Sequence, residues 1–70
     1  MVRERGIVRW FSERRGYGFI VPQRGGDDVF AHYSAIEMDG YRTLREGQLV
    51  EFQLEEGPRG REAWRIRAIA

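Results

Sequence analysis

Tyr17-Gly18-Phe19-Ile20-Val21-Pro22, followed by Val29-Phe30-Ala31-His32, decides how the chain folds. Successive side chains of an extended strand point to opposite faces. Tyr17, Phe19 and Val21 therefore share one side and Gly18, Ile20 and Pro22 the other, while Phe30 and His32 oppose Val29 and Ala31. Further along, Val50, Phe52 and Leu54 alternate with Glu51 and Gln53, which marks an inward face without ambiguity, and Ile66 and Ala68 oppose Arg65 and Arg67. Working outward, glycines punctuate the chain into pieces of strand length rich in Val, Ile, Phe, Tyr and Trp. The reading predicts five strands, near residues 6–12, 16–22, 28–33, 48–55 and 62–69. The longest connection, from Ser34 to Gly47, has no sustained helical period but has room for a short helical turn. Two packed sheets would need more strands, so the expected architecture is a closed small barrel lined by Val8, Ile20, Val29, Ala31, Val50, Phe52, Leu54 and Ile66.

At 70 residues and 8.2 kDa, residues 1–70 are expected to form a single domain. With 41% hydrophobic and 33% charged residues, the composition is neither that of a disordered chain nor that of a membrane span. No cysteine is present, which excludes a disulfide framework and a thiolate zinc site. The opening Met1-Val2-Arg3-Glu4-Arg5 leads into a polar pattern and not into an apolar leader, so a cytoplasmic location away from membranes is expected.

The net charge of +1 conceals an uneven distribution. Residues 1–25 carry six Arg against Glu4 and Glu13, residues 26–57 carry two Arg against eight acids, and residues 58–70 carry four Arg against Glu62. If the basic ends meet in the fold, they make a basic strip suited to an anionic partner.

A barrel with this interior leaves Tyr17, Phe19, Phe30 and His32 outside on adjacent strands. A contiguous exposed aromatic row marks a binding surface. Turning the sheet inside out would bury those rings and expose Ile20, Val29 and Ala31, but it would also bury His32 without an obvious partner. With Trp10 adjacent and Arg9, Arg14 and Arg15 around them, the rings form a platform for unpaired bases. Every base has a π-face, and Arg adds phosphate and cation–π contacts. His32 is the lone histidine, so neither a metal site nor an acid–base pair is implied, and no catalytic residue or cofactor is expected. Asp27-Asp28 in a Gly-rich turn reads as solvated. The alternative function is a barrel that docks a Pro-rich or aromatic-binding peptide on the same rings.

Residues 7–20, Ile-Val-Arg-Trp-Phe-Ser-Glu-Arg-Arg-Gly-Tyr-Gly-Phe-Ile, resemble the opening of the bacterial cold-shock proteins. Arg15-Gly16-Tyr17-Gly18-Phe19-Ile20 looks like their first ribonucleoprotein motif and Val29-Phe30-Ala31-His32-Tyr33 like their second. Ser34-Ala35-Ile36, Asp39-Gly40-Tyr41, Leu44-Arg45-Glu46-Gly47-Gln48 and Gly57-Pro58-Arg59-Gly60 resemble the turns that follow. The resemblance implies an all-β, five-stranded antiparallel OB-fold barrel that binds single-stranded RNA and DNA as a monomer and serves as an RNA chaperone or a regulator of transcription or translation. Carried over by position, Trp10, Tyr17, Phe19, Phe30, His32 and Tyr33 would stack on bases, with Tyr41 extending the row and Phe11 joining it or packing beneath. Arg9, Arg15 and Arg59 would contact backbone or base edges, and Asp28 would hydrogen-bond a base.

Strict alternation places Val8 and Trp10 on one face, so the resemblance requires a bulge in the first strand. The sequence also departs from the family. Tyr17, Tyr33 and Tyr41 stand for Phe, Arg stands for Lys throughout, and Ser12 stands for Asn. In the last strand, Glu62-Ala63-Trp64-Arg65 replaces small residues and Asn. Trp64 shares parity with Ile66, which points it inward to close the barrel end.

Overall fold

In a computed structural model, which describes residues 3–69, the chain is all-β apart from one 3-10 turn. The strands are β1 (Arg3–Ser12), β2 (Tyr17–Pro22), β3 (Val29–His32), β4 (Leu49–Gly57) and β5 (Gly60–Ala68). The 3-10 turn, Tyr33–Ala35, opens the long connection between β3 and β4. The strands close into a barrel in the order β1-β2-β3-β5-β4.

Four of the five seams are antiparallel, as expected, and the fifth, between β3 and β5, is parallel. This departure is a matter of counting. A closed ring with an odd number of strands cannot alternate direction all the way round, so one neighbouring pair must run the same way. The pair is short, matching Phe30 with Glu62 and Ala31 with Ala63. The connection extends the same closure, with Ile36 bridging Ile66 and the Glu37 N–H donating to the Ile66 carbonyl at 2.8 Å.

β1 is longer than the sequence pattern predicts because it serves two neighbours. Its first half, Arg3 to Ile7, pairs with β4, and its second half, Gly6 to Ser12, pairs with β2. Gly6 sits at the overlap, where a Cβ would lie 2.5 Å from Ile20 Cγ2 and 2.6 Å from the Val21 carbonyl oxygen. Only glycine lets the strands approach this closely.

Val8, Ile20, Val29, Ala31, Val50, Phe52 and Ile66 are buried inside, as the alternation predicts. The closed barrel therefore has the expected handedness of faces, with the rings of β2 and β3 outside. Leu54 is a correction. It is only partly buried against the core, because the β4–β5 hairpin leaves the barrel wall there and exposes Glu55, Glu56, Pro58 and Arg59. The volume is made up by Ala35, Ile36 and Leu44 from the long connection and by Ala63.

Deleting Ile20 beyond its Cβ removes fully buried methyl groups from a packed barrel, whereas Phe19 is half-buried on the other face. Ile20→Ala should cost about 2–5 kcal/mol in denaturant unfolding, and the milder Ile20→Val about 0.5–1.5 kcal/mol. Phe19→Ala should cost less than Ile20→Ala, in the same measurement.

Candidate nucleic-acid interface

The register of β1 against β2 shifts between Val8 and Trp10. Val8 opposes Ile20 and Trp10 opposes Phe19, leaving Arg9 as the extra residue of a bulge. This is the bulge the resemblance requires, and it carries the next side chain through to the outer face. Val8 is buried, while Trp10 lies outside at 37% exposure.

From Trp10 a continuous set of rings crosses β2 and β3. Its centroid lies 5.7 Å from Tyr17 and 5.5 Å from Phe19. Tyr17 and Phe19 each lie 5.8 Å from Phe30, the first stacked and the second edge-on. Phe30 is stacked on His32 at 6.5 Å, and His32 reaches Tyr33 at 4.6 Å. The pairing of Tyr17 with His32 and of Phe19 with Phe30 across β2 and β3 accounts for this arrangement, since directly opposed residues share a face. His32 Nδ1 lies 2.8 Å from Ser34 Oγ and accepts the Ser34 backbone N–H at 3.2 Å.

The β1–β2 turn places the far end of the row. Ser12 accepts the Gly16 N–H on its carbonyl at 2.7 Å and the Arg15 N–H on its hydroxyl at 3.1 Å, so serine does here what a side-chain amide oxygen can do. Gly16, at φ 78°, passes its carbonyl to the Tyr33 N–H at 2.8 Å. A Cβ on Gly16 would stand 2.7 Å from Tyr33 Cδ2, so the glycine leaves the space into which that ring packs. Tyr41, 69% exposed, stands with Tyr33, Arg15 and Arg42 around a hollow of about 340 Å³. Phe11 is partly buried and packs against the core cluster.

Two charged candidates are engaged with each other. The Arg9 guanidinium donates to both Asp28 carboxylate oxygens, at 2.6 and 3.3 Å, and Asp28 holds its pKa above the ordinary arginine value through that hydrogen bond and its charge. Arg59, on the β4–β5 hairpin, lies with its guanidinium carbon 5.0 Å from the Phe30 centroid. Arg15 and Arg59 have no carboxylate within ion-pairing distance among the described residues.

A sequence model described as the 'Cold-shock' DNA-binding domain matches residues 4–69. The chain belongs to the cold-shock domain family. Cold shock-like protein CspD of Escherichia coli (strain K12) is 57% identical over 60 residues, covering 86% of this chain and 81% of that protein. Cold shock-like protein CspA of Stigmatella aurantiaca is 55% identical over 64 residues, 91% of this chain and 94% of that one. A solved structure, drosophila Unr CSD456, matches with a TM-score of 0.79 at 25% identity over 99% of this chain. The chain spans 27% of the length of that structure. The family is a nucleic-acid-binding one, and the fold is the OB-like barrel expected of it.

Two expectations for this cold-shock domain are corrected. Trp64 does not close the barrel end. It opposes Gln53 on the outer surface, 41% exposed, while its neighbour Ala63 fills the interior. The reason is a second bulge. Glu51 pairs with Arg67 and Gln53 with Trp64, so three steps of β5 match two of β4. Arg65 takes up the surplus at φ 52°, a conformation costing a non-glycine residue roughly 1–2 kcal/mol. Arg3 holds the distorted strand, donating to the Arg65 carbonyl at 2.7 Å and to Glu51 at 2.9 Å. No glycine marks the site in the sequence, so parity alone misplaces Trp64.

The basic ends do meet, through Arg3 and Arg65, but they do not form a basic strip there. Carboxylates from the acidic middle interleave: Glu51 takes Arg3, while Glu37 takes Arg65 at 3.4 Å and Arg67 at 3.0 Å. The hydrogen bond from Arg67 is the main cause that holds the Glu37 carboxyl below its usual range.

Gly16→Ala tests how the domain seats its outermost ring. The added Cβ must move Tyr33, and the positive φ costs the new residue about 1 kcal/mol or more. The expected outcome is a lowered unfolding midpoint with the largest amide chemical-shift changes at Tyr33 and His32, and with β4 undisturbed.

Proposed function

We propose that this cold-shock domain is a single, monomeric cytoplasmic domain spanning residues 1–70 that binds single-stranded RNA and DNA without strong sequence preference. In this reading it serves as an RNA chaperone or as a regulator of transcription or translation. The observation that carries the proposal is the unbroken ring contact from Trp10 through Tyr17, Phe19, Phe30 and His32 to Tyr33 on one face of the barrel.

The physics favours unpaired bases over a duplex. Bases in a duplex are already stacked and offer no free faces, whereas a single strand can lay successive bases on successive rings. Tyr41 and Phe11 flank the row, one on the long connection and the other beneath. Arg15 and Arg59 are placed to meet phosphates, and Arg9 reaches them by exchanging its bond to Asp28, which frees that carboxylate to accept from a base amino group. With only Arg15 and Arg59 bordering the hollow over the rings, and Arg9 beside them, on a chain of net charge +1, stacking is the larger source of affinity.

Titration with a mixed-sequence single strand and with its duplex, in the same salt, should show clear preference for the single strand. Phe19→Ala and Phe30→Ala should each weaken binding by about 1–3 kcal/mol, the usual worth of one base stack. Neutralising about three phosphates gives a slope of log affinity against log salt of about −1.5 to −2.5. Equal affinity for the duplex, or a slope steeper than about −4, would sink the stacking mechanism in favour of a purely electrostatic one.

A further inference from the structure

Trp64 stands outside the ring row, yet it borders the same surface. A hollow of about 440 Å³ over β2 and β3 is bounded by Arg15, Tyr17 and Phe19, and one of about 220 Å³ over the β3–β5 seam by Ser34, Glu62, Ala63 and Trp64. Phe30, His32 and Arg59 border both. The two hollows are therefore neighbouring compartments of one surface, separated by the Phe30 and His32 rings.

The chemistry of the second hollow differs from that of the first. Its floor is made of the small buried residues Ala35 and Ala63, which leave depth for a planar group. Trp64 and His32 supply aromatic walls, and Ser34 a hydroxyl. Glu62 borders it with a carboxylate that lies over Gly57 of the hairpin and accepts hydrogen bonds, so its side of the hollow suits a base edge presenting N–H donors, while Arg59 on the rim suits a phosphate. Trp64 reaches this position only because the Arg65 bulge turns it outward. Without that bulge it would share the interior with Ile66.

We propose that Trp64, with His32, Ser34 and Glu62, forms a further base-binding subsite over the β3–β5 seam, selective for an amino-bearing base of a strand already seated on the main ring row. The inference rests on the stacking function proposed above. The subsite lengthens the bound segment and adds a preference that a row of bare rings lacks, because the exocyclic amino group of adenine, cytosine or guanine donates to Glu62, whereas the N3–H of thymine or uracil is flanked by two carbonyl oxygens that the carboxylate repels. Arg59, shared by the two hollows, meets the phosphate between the two bases.

Oligo(dC) and oligo(dT) of about four and about eight nucleotides, within the range of site sizes for such barrels, separate the two levels. Trp64→Ala should lose roughly tenfold in affinity for the longer oligo(dC), the worth of one stack, and less than about threefold for the shorter. The loss on the longer oligo(dT) should be smaller than on oligo(dC). In Trp10→Phe, which keeps Trp64 as the sole tryptophan, emission should be quenched by the longer strand and much less by the shorter, and this readout decides the matter if Trp64→Ala fails to fold. An unchanged affinity of Trp64→Ala for the longer strand, alongside a loss in Phe30→Ala, would overturn the seam subsite and leave the ring row standing. An equal loss on both lengths would make Trp64 a structural residue and overturn the subsite as well. No loss in Phe30→Ala at either length would overturn the stacking function itself, and the subsite with it.

Discussion

One extra residue in β1 sets up the outer surface. Arg9 is the surplus of the bulge, and it allows Val8 to plug the barrel while Trp10, two positions on, lies against Tyr17 and Phe19 outside. Because β1 is hydrogen-bonded to β4 on one stretch and to β2 on the other, the bulge falls after the stretch that closes the barrel and within the stretch that supports the rings. The bulge residue itself points its guanidinium to Asp28 beside β3, so the distortion also ties β1 to the start of β3 across the strand between them. Packing inside and ring display outside are thus two results of the same local geometry.

Charge is distributed to complement this division of labour. Away from the rings, cations and carboxylates neutralise one another, and Arg3 joins a carboxylate to a strained backbone carbonyl. These surface pairs are individually worth little in water, about 0–1 kcal/mol each, but they remove cations from competition for an anionic strand. Arg15, on the β1–β2 turn, and Arg59, on the β4–β5 hairpin, border the rings without a carboxylate partner among the described residues. On the proposed function, this arrangement favours the ring-bearing face over the rest of the surface for an anionic strand.

The inner and outer faces of β2, β3 and most of β4 were legible in the sequence, since strict alternation needs no tertiary information. The buried residues of the long connection were not. Ala35, Ile36 and Leu44 follow no period because that segment lies across the barrel mouth instead of along a strand. The parallel seam followed from the strand count, yet periodicity does not reveal direction. The first bulge was required by the family resemblance, which puts Trp10 outside while Val8, at the same parity, lines the barrel. The second left no such conflict, since Trp64 is apolar enough to suit an interior position, and only the register against β4 exposes it. Among the ring residues, alternation put Tyr17, Phe19, Phe30 and His32 on one outer face, whereas Trp10 and Tyr33 joined them only through the family resemblance, and the mutual pairing of Arg9 with Asp28 depends on two distant segments meeting.

Arg59 already lies over the Phe30 ring in the free protein. A base that stacks on Phe30 therefore replaces a guanidinium and not a layer of water, so the gain is a difference between two favourable contacts. The same cover bears on how the protein behaves at high concentration. An uncovered aromatic row invites a second copy to press its own rings against it, whereas a charged side chain resting on the middle of the row makes that encounter repulsive between like molecules. A polyanionic strand meets the same side chain as an attraction. One arginine thereby opposes pairing of the row with a copy of itself and favours a partner of opposite charge.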